Sequence, residues 1–353
     1  YGEVQLNGLV GIPAGDANSY WQAAYNASKQ IIDAKKFELF NQYPDDKSKN
    51  YQQIFLTKDN AEIIFARKFI ADKMGHYHDY YSAPASFCTG WTNNPNATVE
   101  MLDSNEMIDG SSGAIDWQHV RGYLPEIFAK KDPRFHASIF YNDSPWVDDT
   151  IKTYYGIAVD TNGDGVKEIL QNDTQYYNGM RQVGKDIGGG NAPKTGFTVK
   201  KWMKEEKLVQ YGFSDQDWIV FRYGEILLNF AEAAFELNKP GEALDAINQI
   251  RDRAGIARLA SIDMEKIRHE RRIELAFEAH RIWDVRRWRI AVQALSGEFH
   301  GALAYYDYAA KKYYFEYRNC DGFARVFKPQ HYYLPISESR INNNPNLKEN
   351  PGY

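Results

Sequence analysis

The sequence is poor in cysteine, has no long apolar run and carries no excess of either charge. Its two cysteines, Cys88 and Cys320, cannot staple a chain of 353 residues. They could pair in an oxidising compartment, but two distant thiols decide neither a redox compartment nor a metal site. No apolar stretch reaches the roughly 18 residues that a bilayer-crossing helix needs. The 42 basic and 47 acidic side chains leave a formal net charge of −5. So even a balance gives no electrostatic handle for nucleic acid or for an acidic membrane surface. The chain starts at Tyr1, with no initiator Met, charged n-region or signal-peptide pattern, so it reads as a mature or truncated piece.

Aromatic residues are abundant. They make up 15% of the chain, and 25 of them are tyrosine. Tyrosine and tryptophan join a flat apolar face to one polar tip, which suits polar ligands with apolar faces, such as sugars. A tyrosine-rich core would give the same composition. The length allows a large core and two sub-domains.

Three regions follow from the patterning. Residues 1–75 read as a helical scaffold segment. Within it Trp21, Ala24, Tyr25, Ser28, Ile31 and Ile32 keep the i, i+3, i+4 spacing of a helix over 18–40, with Asn18 as its cap. A short helix is expected at 50–56, and 61–70 fits a buried strand or a helix. Residues 76–215 lose long periodicity and gain Gly, Pro, Asn, Asp and Ser. They read as a loop-rich insertion with short strands, one at Phe135–Tyr141, and as the ligand-binding region. Residues 216–353 read as helical again. A helix over 218–238 presents Ile226, Leu227, Phe230, Ala233, Ala234 and Leu237. Pro240 opens the next helix, over 242–254, and Gly255 caps it. A helix pair of about 34 residues with small alanines has tetratricopeptide geometry. The expected fold is therefore mainly α, with tetratricopeptide-like helix pairs and a long irregular insertion.

The stretch IELAFEAHRIWDVRRW, residues 273–288, has no clean polar side. Projected as one helix at roughly 100° per residue, Glu270, Glu274, Phe277, Arg281, Asp284 and Trp288 share one line. Leu275, Ala276, Ala279, Ile282 and Trp283 lie opposite. Two inward faces follow, one apolar and one of paired charges, with Arg281 reaching Asp284 and Glu274. An ion-pair lattice suits this stripe better than catalysis, because arginine so close keeps both acids ionised.

Glu270 to Trp288 resembles the C-terminal signature of the SusD/RagB family, close to E-R-x-x-E-L-x-x-E-G-x-R-x-x-D-L-x-R-W, with Ala279 in place of the glycine. Arg222–Ala233 with Ile247–Gly255 is similar to that family's helix pair, and Lys131–Phe135 to its D-P-R turn. Tyr333–Ile336, Asn344–Leu347 and Asn350–Tyr353 are similar to its chain end. Together these matches span most of residues 18–353. The resemblance implies a non-catalytic lipoprotein on the outer face of the outer membrane of Bacteroidota. It also implies capture of oligosaccharides, or in some members peptides, for a SusC-like TonB-dependent transporter, with no cofactor required. Family members are longer by roughly the N-terminal third, which would hold the lipidated cysteine.

The signature residues are structural, so the ligand site is sought in the insertion. HYHDYYSAPASFCTGW, residues 76–91, is rich in aromatics and broken by Pro and Gly. Tyr77, Tyr80, Tyr81, Trp91 and Trp117 are the platforms expected to stack a sugar ring. His78, Asp79, Asn93 and Asn94 are the expected hydroxyl partners. The same aromatics could instead pack the insertion onto the helices. His76 and His78 with Asp79 offer three short-range metal ligands without a distant fourth. Asp160, Asn162, Asp164, Val166 and Glu168 match the start of a calcium loop, which would hold a structural ion. Gln171 stands where that loop needs a bidentate Glu, and an Asp/Gly-rich turn is the competing reading. Two further functions stay open. An all-helical glycoside hydrolase would need two carboxylates about 5–10 Å apart, with Asp79, Asp103, Glu106 and Asp109 available. A tetratricopeptide scaffold for protein partners would leave the aromatic insertion unexplained.

Overall fold

Periodicity and caps place most of the helices. The computed structural model describes residues 13–187, 190 and 192–353. In chain order the elements used below are α1 (Ala17–Ala34), α2 (Lys47–Ile54), β1 (Ile63–Arg67), α3 (His78–Ser82), α4 (Pro133–Ser138), β2 (Gly156–Val159), β3 (Glu168–Leu170), β4 (Trp218–Arg222), α5 (Tyr223–Glu236), α6 (Pro240–Ala254), α7 (Met264–Glu274), α8 (Arg281–Arg287), β5 (His300–Asp307) and β6 (Lys312–Asn319). Asp46 and Asp263 cap α2 and α7 by accepting from the Lys49 and Lys266 N–H groups at 2.9 and 2.8 Å. Pro240 opens α6, and Gly255 closes it at φ 77°. α1, α6 and α7 all pack on α5. Their shared core buries Leu227, Leu228, Ala231, Ala234, Ala243, Ala246, Ile247 and Ile267. Small alanines let the helices approach closely, as the spacing predicts for a tetratricopeptide-like pair.

Four expectations change. α1 starts at Ala17 rather than at an Asn18 cap, and ends at Ala34 because Lys35 turns left-handed at φ 52°. Phe135–Tyr141 is mostly helix α4, followed by a strand of only Ile139–Phe140. The helix expected over 218–238 begins at Tyr223. Trp218–Arg222 is instead a strand, paired antiparallel with β1 so that Arg67 faces Trp218 and Ile63 faces Arg222. Last, a β-hairpin stands in the region 216–353 expected to be helical. β5 and β6 pair antiparallel, and β5 also pairs in parallel with β2 of the insertion. The sheet order is β6–β5–β2–β3. Trp117, Phe128, Phe135, Ile157, Phe197 and Phe315 fill the core beneath it.

The stretch 270–288 is not one helix. α7 ends at Glu274 and α8 starts at Arg281, with Phe277 and Ala279 between them both at φ 63°. Two left-handed residues stop the projection, so Ile282 and Trp283 come out 41% and 69% exposed. Ala279, where the signature has glycine, therefore lies in the break between the two helices. It forces a Cβ into a left-handed position. Ala279→Gly is expected to raise stability by up to about 1 kcal/mol, since relief of strain exceeds the added unfolded-state entropy. A lower melting temperature would show that position 279 carries no strain.

The charges do form a lattice, with different partners. Glu274 is fully buried. It accepts from Arg134 at 2.8 Å, from Arg222 at 2.7 Å and from Arg253. Arg134 also bonds Asp132 and Glu270, while Arg222 also bonds Glu62 and Glu278. Lys201 completes the cluster through Glu278, Tyr51 Oη and the Ala276 carbonyl. This lattice ties α4, α6, α7 and β4 to Glu62, the residue before β1. Arg281 stands outside it. Half-buried, it makes no ion pair or hydrogen bond among the described residues, because Arg271 and Arg287 hold Asp284 at 2.8 and 2.9 Å.

Burial alone would raise the Glu274 carboxyl, but Arg253, Arg222 and Arg134 hold it well below the usual range. Against the same burial, Arg222 and Lys201 hold Glu278 low. A carboxyl with a depressed folded pKa stabilises the fold fully above its unfolded value and loses that as pH falls through the folded value. The melting temperature should therefore hold down to about pH 4.5 and fall steeply below it. A melting temperature independent of pH across that acid range would contradict the lattice.

Candidate functional site

The site builds up from Asp79. It is 2% exposed, and its carboxylate accepts from Gln216 Nε2 at 2.6 and 2.7 Å and from the Lys204 N–H at 3.3 Å. Its own N–H donates to Ser214 Oγ at 3.0 Å. A buried carboxylate held this way pins the short helix α3 to the segment 204–216. The anchored helix then presents its tyrosines. Tyr77 and Tyr81 are 45% and 38% exposed, and Tyr80 lies between them half-buried. Tyr211 comes in from the far end of the insertion, 58% exposed. Its ring lies 4.6 Å from Tyr77 and 5.0 Å from Tyr80 between centroids. Tyr80 and Tyr81 meet edge to face at 5.6 Å. Gly75 makes this crossing close: a Cβ there would sit 2.1 Å from the Gly212 carbonyl oxygen.

Trp91 joins the same surface. A Cβ on Gly90 would fall 1.5 Å from the Tyr80 hydroxyl, so the chain reaches Trp91 directly over Tyr80. Asn94 clamps the loop. Its N–H donates to the Tyr81 carbonyl at 2.9 Å, and its amide donates to the Trp91 carbonyl at 3.3 Å. Trp91 is left 75% exposed, the most exposed of the large apolar side chains at this surface. Flat apolar faces with polar tips, open to solvent on a rigid base, can stack a ring and hydrogen-bond its substituents.

Of the nine residues singled out in the sequence, Tyr77, Tyr80, Tyr81 and Trp91 come together here, clamped by Asn94. The other four require correction. Trp117 is 3% exposed, donates Nε1 to Asp103 at 3.2 Å and packs between Phe128, Phe197 and Phe315, so it belongs to the core. Asp79 is the buried anchor. Asn93 is also buried, at φ 56°, with its amide on the Asp186 carbonyl at 2.7 Å. His78 turns away from the tyrosines to bond the Lys201 carbonyl at 2.9 Å, and burial lowers its pKa. Tyr211 was missed. It lies 134 positions from Tyr77, and no local pattern links the two.

The side chains of both expected ion sites carry hydrogen bonds of their own. Both ring nitrogens of His76 are engaged, with the Gln216 carbonyl and the His78 N–H. In the turn at 160–168, the Asp160 carboxylate accepts from the N–H groups of Gly163, Asp164 and Gly165, and Glu168 accepts from Thr161 and Asn162. Among the described residues no group of three or more His, Cys, Asp or Glu is placed to hold a metal. These hydrogen bonds fit the competing reading of an Asp/Gly-rich turn. Melting curves in chelator and in millimolar calcium are expected to coincide. A calcium-dependent rise of several degrees would restore the calcium loop. The carboxylates considered for hydrolysis also have partners. Asp103 bonds Trp117, Glu106 pairs with Arg251, and Asp109 accepts from Ser111. Cys88 and Cys320 are both free thiols.

Comparison with known proteins agrees with this architecture. The SusD family model matches residues 61–353. A SusD-like protein of Formosa agariphila is 25% identical over 94% of this chain and 56% of its own length. A solved SusD-like protein of Bacteroides fragilis superposes with a TM-score of 0.70 at 24% identity, covering 96% of this chain and 63% of its own. Another B. fragilis structure, described as a SusD-like carbohydrate-binding protein, gives 0.66 at 22% identity, over 93% of this chain and 61% of its own. The chain thus spans less than two thirds of the length of each. With the tetratricopeptide-like pair, the buried signature and the family match over most of its length, this chain belongs to the SusD family.

Proposed function

We propose that the chain is the ligand-binding part of a non-catalytic cell-surface protein that captures oligosaccharides. The protein passes them to a SusC-like TonB-dependent transporter at the outer membrane, where a lipid anchor holds it. One observation carries the reading: Trp91, Tyr77, Tyr81 and Tyr211 expose flat faces on one anchored surface. Such a patch costs solubility unless it has a ligand. The carbohydrate-binding description of one structural neighbour supports a sugar as that ligand. Peptide capture remains the competing assignment within the family.

Calorimetric titration with maltohexaose, xylohexaose, laminarihexaose, oligogalacturonate and mixed tri- to hexapeptides tests the assignment. At least one saccharide is expected to bind and to be recovered uncut. Binding of peptides alone would replace the ligand class. Cleavage of a bound saccharide would replace capture with hydrolysis.

A further inference from the structure

Two buried carboxylates anchor the segments that carry the exposed aromatics, and no cation among the described residues pairs with either. Asp79 sits in α3 between Tyr77 and Tyr80. Its hydrogen-bond donors are neutral groups, the Gln216 amide and the Lys204 backbone N–H. Asp186 is fully buried and holds the loop that leads to Trp91. Its carbonyl accepts from the Ala85 N–H at 3.3 Å and from the Asn93 amide at 2.7 Å. Its carboxylate accepts from the Ser86 N–H at 3.2 Å, from Ser86 Oγ and from the Lys152 N–H at 2.7 Å. Burial pushes the Asp186 carboxyl up, and the Ser86 and Lys152 donors oppose that rise. Donors of this kind favour the charged form without cancelling its charge. The lysines closest in the chain are engaged elsewhere: Lys152 with Asp143, Lys185 with Asp149 and Lys204 with Asp215.

The surface above supplies no counter-charge. Residues 86–94, SFCTGWTNN, contain no Asp, Glu, Lys or Arg. On the facing segment Lys207 pairs with Asp148 at 2.5 Å, and Glu206 is exposed without an ion pair among the described residues. His78 is turned to the Lys201 carbonyl, and burial lowers its pKa, which disfavours the cation. Over residues 70–94 and 204–216, Lys73 is the one described lysine or arginine without an ion pair, and Asp72 stands beside it in the same turn. The tyrosine hydroxyls and the Asn94 amide both donate and accept, so they suit the hydroxyls of a neutral sugar. A carboxylate or sulfate on that sugar would meet the field of Asp79 and Asp186 instead. At an effective dielectric of about 20, one unpaired charge roughly 10 Å away weakens an anionic ligand by roughly tenfold.

We propose that the aromatic patch selects uncharged saccharides over carboxylated or sulfated ones, because Asp79 and Asp186 place unpaired negative charge beneath it. The inference rests on the reading of the patch as the saccharide surface. Calorimetric titration with matched pairs tests it. Each neutral hexaose named above that binds is compared with a carboxylated counterpart: maltohexaose and laminarihexaose with their primary hydroxyls oxidised to carboxylates, and xylohexaose with a glucuronate branch. The carboxylated member is expected to bind at least about tenfold more weakly at low salt. Raising the salt from roughly 20 mM to roughly 500 mM should shrink that gap at least about threefold and leave the neutral member within about twofold. Asp79→Asn should shrink the gap at low salt too. Asp79 is buried, so the salt series keeps the test decisive if that variant misfolds. Equal or tighter binding of the carboxylated member, lost in Trp91→Ala, overturns the selection and leaves saccharide capture standing. A gap that salt does not narrow is one of shape and overturns the selection as well. No binding by any hexaose or by oligogalacturonate overturns the saccharide reading itself.

Discussion

Arg222→Ala is expected to cost about 3–5 kcal/mol, enough to unfold much of the chain at physiological temperature. Arg222 is 1% exposed and is the hub of three carboxylates, Glu62, Glu274 and Glu278. Its guanidinium also donates to the Glu274 carbonyl at 2.9 Å. Removing it leaves those carboxylates buried beside Arg134, Arg253 and Lys201 alone, with hydrogen-bonding capacity that water cannot reach. The cost lies in the broken pairs, not in the lattice being intrinsically more stable than an apolar core. Arg281→Ala supplies the contrast. Its signature position reads as paired, yet its guanidinium makes no direct ion pair or hydrogen bond among the described residues and feels Asp284 and Glu265 only at longer range, so the change should stay within about 0.5 kcal/mol. Chemical denaturation of both variants decides the matter. An Arg222→Ala loss below about 1 kcal/mol, or an equal loss in Arg281→Ala, would refute the lattice as drawn.

Trp91→Ala is expected to weaken binding of any saccharide held at the patch by about 2 kcal/mol, about thirtyfold, as truncating an aromatic anchor does. The melting temperature should hardly change, because an indole that is 75% exposed contributes little packing. Trp117→Ala should behave in the opposite way. It empties part of the core between Phe128, Phe197 and Phe315 and should cost about 3–5 kcal/mol. Calorimetry and melting on the two variants separate platform from core. Unchanged affinity in Trp91→Ala would remove the patch as the ligand surface.

Trp91 and Trp117 show the limit of a sequence reading. Both follow glycine-rich, loop-like stretches, and local composition does not separate them. What separates them is the hairpin β5–β6, about 200 residues downstream, whose Phe315 closes over Trp117. Asp79 makes the same point. A polar residue among tyrosines reads as a ligand partner until Gln216 arrives to bury it. Tyr211 escaped notice because its neighbours at the patch, Tyr77 and Tyr80, lie far away in the chain.

The sequence by itself determined the helix pair α5–α6, its Pro240 and Gly255 boundaries, and the family signature. These rest on spacing within one or two turns, where periodicity and capping act locally. Tertiary structure decided the rest. Strand pairing with β1 turned Trp218–Arg222 out of the helix that periodicity extends. The left-handed residues Phe277 and Ala279 broke the charged helix in two and reassigned its ion pairs. Only long-range burial settled which aromatics became core and which stayed on the surface, because burial depends on what the rest of the chain brings to each residue.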